Sequence, residues 1–542
     1  MKVSTPSQFN ADIQPIAAAG SIQEHIMQLF QPASSAEHFL QRQVDSVIRE
    51  FLNRPETNSK RSLQALMETL TNNTIPSEPM QLELFWHDLT EQVITHSNHT
   101  ASPRFIGHMT PALPYFVRPL AKLIAALNQN VVKVETAKAF TPYERQALAC
   151  IHRLVYNCSD EFYSQHIQNP ESTLGMIGSG GTIANITALW CARNAALKAQ
   201  GDFAGVEKEG LAAGLKFYGY EGAVVMGSRL MHYSFEKAAD LLGIGSQSLI
   251  QIATNDQRQI DLNALQAAIE QCRVRQQLII AIVGIAGTTD AGGVDPLFDL
   301  AQLTRAHNIH FHVDAAWGGA VLFSKKYRHL LAGIEQADSV TIDAHKQFYL
   351  PIGMGMLLFR NPHQAQAIEK NAPYTVRKYS YDLGRRSLEG SRSGAALLLQ
   401  AGLHLIGMKG YEYLIDQGMQ KARYMAQQIT IRPEFELLAN PTLNILLYRY
   451  IPESLRGKFN AGILSEEDAQ WINRLNKRLQ KTQRQSGHSF VSRTTLLTTI
   501  DGQTTSVVAL RAVISNPLTT EQDIDSILEE QIRIGRETDY DR

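Results

Sequence analysis

From about residue 223 to residue 342, short apolar runs alternate with longer amphipathic stretches, and this alternation restricts the fold more than any other feature of the chain. Apolar strands are predicted over 223–226, 249–252, 278–285, 309–313 and 339–342. Helices are predicted from Ser234 onward and over 261–273 and 297–306. Strands joined by helices of this length cannot pair as hairpins and instead build a largely parallel sheet covered on both faces, an α/β fold. Ligands of such sheets bind beyond the carboxyl ends of the strands.

At 542 residues the chain exceeds what one hydrophobic core supports, so it divides. Residues 1–100 read as an N-terminal helical arm without visible chemistry, with helical periodicity over 22–30 and 82–94. Residues 101–395 carry the sheet, and 396–542 form a smaller C-terminal α/β lobe, opened by a helix over 395–406. A formal net charge of -1 gives no basis for binding nucleic acid. The four cysteines, Cys150, Cys158, Cys191 and Cys272, form no C-x-x-C pair, which points away from a zinc knuckle or a disulfide framework and toward a reducing, cytoplasmic setting. The longest apolar run, 278–286, is too short to span a bilayer, so no membrane association is expected.

Two turns beyond predicted strands carry chemistry. His312-Val313-Asp314-Ala315-Ala316 ends one strand in a carboxylate followed by small residues, and Asp343-Ala344-His345-Lys346 ends another in a lysine. A carboxylate and a lysine at one edge suit opposite ends of pyridoxal phosphate, whose aldehyde joins a lysine as a Schiff base while an acidic group holds the ring nitrogen. Upstream, the glycine-rich 173–182 turn feeds a helix over 183–190, and the start of such a helix offers N–H groups and a positive dipole end to a phosphate. A rival reading takes His307, His310, His312 and Asp314 as metal ligands. The cofactor accounts for both motifs jointly and a metal does not, so no metal is expected.

With those motifs in place, the chain from about residue 103 to its C-terminus resembles the group II pyridoxal-phosphate decarboxylases, most closely the bacterial aspartate 1-decarboxylase and glutamate decarboxylase-like branch. Tyr450-Ile451-Pro452-Glu453-Ser454 and Val513-Ile514-Ser515-Asn516-Pro517 add to the likeness. The resemblance implies a fold-type I enzyme with a mostly parallel seven-stranded sheet and a homodimer with active sites shared across the interface. It implies Lys346 as the Schiff-base lysine, Asp314 as the partner of the pyridine nitrogen, His232 as the imidazole stacked on the ring and Ala316 as a small neighbour of the ring. Gly181, Thr182 and His345 match positions that hold the phosphate, and Thr289 one near the ring hydroxyl. Tyr374 matches a loop tyrosine that protonates Cα, and Arg392 the arginine that grips the distal carboxylate of the substrate.

These roles imply α-decarboxylation of an acidic amino acid. His108 stands where animal glutamate decarboxylases have a glutamine, and a bulkier group there would shorten the pocket in favour of aspartate, giving β-alanine. Glutamate and cysteine sulfinate are the alternatives within the same chemistry. An aminotransferase and a non-catalytic scaffold are the more distant ones.

Overall fold

The computed structural model describes residues 22–372, 376–500 and 503–539. Seven strands, β1 (Gly175–Gly178), β2 (Gly222–Ser228), β3 (Leu249–Ile252), β4 (Gln277–Ile285), β5 (His310–Asp314), β6 (Ser339–Asp343) and β7 (Gly355–Phe359), form one sheet in the order β1-β7-β6-β5-β4-β2-β3. Strands β3, β2, β4, β5 and β6 are parallel neighbours, whereas β7 is antiparallel to both β6 and β1. Two reversals cancel, so β1 points the same way as β6. The carboxyl ends of β1, β2, β4, β5 and β6 therefore share one edge.

The strands are buried almost throughout because helices cover both faces, and successive side chains serve opposite faces. Ala223 and Val225 of β2 pack with Leu189 and Phe235 of helices Gly181–Ala196 and Ser234–Leu241. Val224 and Met226 face the other way, into a cluster with Leu265, Ile269 and Leu300 of helices Leu262–Val274 and Leu297–Ala306. Asp261 starts the first of these by accepting the N–H groups of Asn263 (2.9 Å) and Ala264 (3.1 Å).

A second sheet is wholly antiparallel: β8 (Phe435–Ala439), β9 (Ile445–Tyr450), β10 (Ser492–Ile500) and β11 (Gln503–Val513), in the order β10-β11-β9-β8. Met425, Leu475 and Leu528, from helices Gly407–Ile431, Glu466–Ser486 and Glu521–Asp539, pack with Leu446, Tyr448 and Leu510 of this sheet. A segment from the start of this compact unit joins them. Ile106 donates its N–H to Phe490 O (3.0 Å) and accepts from Val513 N (2.6 Å), which brings Gly107 and His108 beside β11.

Residues up to His99 form a separate compact unit. Its helices Ser35–Asn53 and Leu63–Thr69 are capped by Ser34 and Ser62, and its α-helices carry no buried side chain among the described residues. No helix among the described residues is long and apolar enough to cross a membrane.

Candidate active site

Asp314, Lys346, His232 and the turn into helix Gly181–Ala196 lie at the shared edge of the first sheet. Asp314, the last residue of β5, is 7% exposed; its Oδ1 accepts the N–H of Ala316 (3.1 Å) and its Oδ2 a side-chain N–H of Asn185 (3.0 Å). Lys346 follows β6 and sets its Nζ 2.9 Å from Oδ2 of Asp343. His232 lies between β2 and helix Ser234–Leu241, where its Nδ1 receives the N–H of Ser234 (3.2 Å) and meets Ser234 Oγ at 2.9 Å. Burial holds the His232 imidazole below its ordinary pKa; the charge of Asp314 opposes this and that of Lys346 adds to it. This direction favours the neutral ring.

Helix Gly181–Ala196 starts from the same edge, directly after β1, and its N-terminal residue Gly180 provides no side-chain cap. The N–H of Ser179 is taken by Glu389 Oε2 (3.0 Å), so the first helical turn at Gly181 and Thr182 is the part left for an anion. Close approach dictates glycine here. A Cβ on Gly181 would lie 2.9 Å from Asp343 Oδ2, and one on Gly355 would lie 2.4 Å from the carbonyl carbon of Gly180. His345 donates from Nδ1 to Met354 O (3.0 Å), which leaves Nε2 facing the same turn, 3.8 Å from Asp343 Oδ2.

Pyridoxal phosphate fits this set. An uncapped helix start suits its phosphate, an amine suits its aldehyde, and the buried carboxylate of Asp314 suits its ring nitrogen. Asp343 Oδ1 is buried without a hydrogen-bond partner, a polar atom still to be satisfied beside the lysine. The methyl group of Ala316, half-buried beside Asp314, leaves a flat surface for a ring. The histidines of the rival metal reading are otherwise engaged: His310 and His312 both hydrogen-bond Ser339, and His312 also bonds Asn185.

Arg392, predicted to grip the substrate's distal carboxylate, forks its guanidinium onto Glu144, a buried carboxylate, through both terminal nitrogens, with Nη1 2.7 Å from Oε2. Releasing it would strand that charge. A second arginine, Arg511 on β11, acts with Lys346 on the imidazole of His108. Its neighbours Leu510 and Ala512 enter the core behind the second sheet, so Arg511 projects to the opposite side. There Nε donates to Thr289 O (2.9 Å), and Nη1 to Gly107 O (3.3 Å) and Ser492 Oγ (3.2 Å). It is 8% exposed and forms no salt bridge among the described residues. Partial burial, then the charges of Arg511, Lys346 and His345, hold His108 below its ordinary pKa. That direction favours the neutral imidazole at position 108.

Tyr374 lies outside the described residues. On either side of it, Ala372 and Val376 exchange backbone hydrogen bonds (2.8 and 3.1 Å), and Glu369 binds Arg385 (2.5 Å) and Arg386 (2.8 Å) across the base of the loop.

Three groups escaped the sequence reading. Arg511 is the one charged residue in the apolar run Val507–Ser515, a signal that charge in a buried strand serves a purpose. Asp343 was visible as a carboxylate one turn before the lysine. Asn185 had no local signal, since its partners are distant in sequence.

The family model described as "Pyridoxal-dependent decarboxylase conserved domain" matches residues 64–451. The chain is 44% identical over 500 residues to a protein of Aliivibrio fischeri named aspartate 1-decarboxylase, covering 92% of this chain and 91% of that one. It is 31% identical over 377 residues to the L-2,4-diaminobutyrate decarboxylase of Rhizobium meliloti, covering 68% and 69%. In fold it is similar to the crystal structure of mouse CSAD, with a TM-score of 0.81 at 24% identity over 93% of this chain and 99% of that one.

Proposed function

Because the chain belongs to the pyridoxal-dependent decarboxylase family, and is a fold-type I carboxy-lyase that uses pyridoxal phosphate on amino acids, we propose that its substrate is acidic, with L-aspartate first and β-alanine and carbon dioxide as products. Arg511 carries the acidic assignment. A nearly buried guanidinium with no carboxylate bridge among the described residues, which acts together with Lys346 on His108, suits the distal carboxylate of a substrate. The same group would repel the terminal ammonium of 2,4-diaminobutyrate. The identity to the Aliivibrio protein supports aspartate over glutamate and cysteine sulfinate. So does the imidazole of His108, which the charge of Arg511 reaches and whose bulk would favour the shorter substrate.

The chain's residues divide the work. Gly181 and Thr182 at the helix start, with His345, would hold the phosphate. Lys346 would hold the aldehyde until the substrate amine replaces it. Asp314 would retain the proton of the ring nitrogen, and His232 would cover one ring face. Bound pyridoxal phosphate supplies an aromatic system that takes up the electron pair left on Cα as carbon dioxide departs. Arg511 fixes the substrate's far end, so the scissile bond has one orientation. Tyr374 then delivers a proton to Cα, and its loop limits the access of water. A homodimer in which that loop reaches the neighbouring site completes the proposal.

The test is to incubate the holoenzyme separately with aspartate, glutamate, cysteine sulfinate and 2,4-diaminobutyrate and to measure carbon dioxide and amine. Aspartate gives the highest kcat/KM, and Arg511→Met lowers it by about a hundredfold or more. Turnover of 2,4-diaminobutyrate alone, or an Arg511→Met variant with the wild-type preference, would overturn the assignment.

A further inference from the structure

We propose that Asn185 is a positioning residue that sets both the carboxylate of Asp314 and the tautomer of His232 through one directed chain of hydrogen bonds. Its side chain is 1% exposed and every polar atom of the carboxamide is used. Nδ2 lies 3.0 Å from Asp314 Oδ2 and 3.0 Å from Ser234 Oγ, while Oδ1 lies 3.0 Å from His312 Nε2.

The direction of each bond follows from what the groups can do. A carboxylate only accepts, so Asn185 must turn its Nδ2 to Asp314 and its Oδ1 to His312. Burial, then the neighbouring His310, drives the His312 pKa down to about 3, so the ring is neutral and has one N–H. That proton sits on Nε2, facing Asn185. Nδ1 of His312 must then accept the hydroxyl proton of Ser339, 2.9 Å away, and the Ser339 oxygen in turn accepts from His310 Nε2 at 2.8 Å. On the other branch, the second N–H of Asn185 engages Ser234 Oγ, which turns the Ser234 hydroxyl proton toward His232 Nδ1. Nδ1 also receives the N–H of Ser234, so it accepts twice. The single proton of neutral His232 is thereby placed on Nε2.

The chain thus runs His310, Ser339, His312, Asn185, and there it forks to Asp314 and to Ser234 and His232. Asn185 is the only member that contacts both branches. It couples the group under the ring nitrogen to the group over the ring face. The titratable side chains around it are Asp314, His312 and His232; His310 acts on His312, and Asp343 at the end of β6, Lys346 after it and Lys237 of helix Ser234–Leu241 act on His232.

This inference rests on the reading that Asp314 and His232 face the cofactor, and the experiment separates the two. Apoprotein is titrated with pyridoxal phosphate across pH, recording the dissociation constant and the visible band of the bound cofactor. Asn185→Asp keeps the shape but sets an acceptor against Asp314. We expect cofactor binding weakened about ten- to a hundredfold near pH 8, recovering toward the wild-type value near pH 6 as the two carboxylates come to share a proton. Ser339→Ala, a small change remote from the cofactor, releases the tautomer of His312 and is expected to weaken binding severalfold with a shifted band. Asp314→Asn is run in parallel. If it binds like the wild type, the reading of the site falls. If it is impaired while Asn185→Asp and Ser339→Ala both keep the wild-type constant and pH profile, the inference alone is overturned. Should Asn185→Asp fail to fold, Ser339→Ala decides by the same criterion.

Discussion

Arg392 and Arg511 are the same residue type in two settings, and the partner determines the role of each. Arg392 spends its fork on Glu144, whose side chain is 1% exposed, whereas Arg511 spends two nitrogens on carbonyls and a hydroxyl and keeps net charge to offer. Removing one partner of a buried ion pair costs about 3–5 kcal/mol, because the other charge is left without compensation. Arg392→Met is therefore expected to lower the unfolding free energy by that order while leaving KM for the acidic substrate within about twofold of wild type. Adding Glu144→Gln should restore most of the loss, as read from denaturant midpoints. A large rise in KM with unchanged stability in Arg392→Met would instead return this residue to the substrate site.

At the scale of elements, the join between β1 and helix Gly181–Ala196 is built by backbone proximity. Alanine at position 181 would gain about 1 kcal/mol of helix propensity, yet its Cβ would press on Asp343 Oδ2 at 2.9 Å and displace the carboxylate that holds Lys346. Gly181→Ala is expected to weaken pyridoxal phosphate binding by about tenfold or more with little change in the apoprotein's unfolding midpoint. Gly390→Ala, with nothing within 4 Å of its Cβ, is the neutral control. Equal binding by both variants would show that the close approach is not needed.

The same elements show what the sequence could reveal. Strands β2 to β6 and their helices were legible because each alternates an apolar run with an amphipathic one, and Asp314 and Lys346 were legible because each directly follows such a run. Strand β1 was read as a turn, since Gly175-Met176-Ile177-Gly178 is short and glycine-bounded, and β7, Gly355–Phe359, passed unnoticed because no α-helix adjoins it in sequence. Arg511 was missed for another reason. Its place in the site depends on Ile106 bridging Phe490 and Val513, a contact between the start and the end of a long stretch of chain that no local pattern records.

For the whole molecule, the open matter is which chain supplies the proton. Glu369 binds Arg385 and Arg386 of the same chain, so the described residues on either side of Tyr374 are held to their own chain. If the loop serves the neighbouring site, Lys346→Ala and Tyr374→Phe fail in complementary places. A heterodimer of the two then has one site with both wild-type residues and one with neither. Random pairing makes half the dimers hybrid, and each hybrid carries one working site of two, so the mixture should recover about a quarter of wild-type decarboxylation. Coexpression of the two variants under separate tags, with purification through both, isolates the hybrid and should raise that to about half. Activity no greater than that of the single variants would assign Tyr374 and Lys346 to the same chain, and would remove the shared site from the proposed dimer.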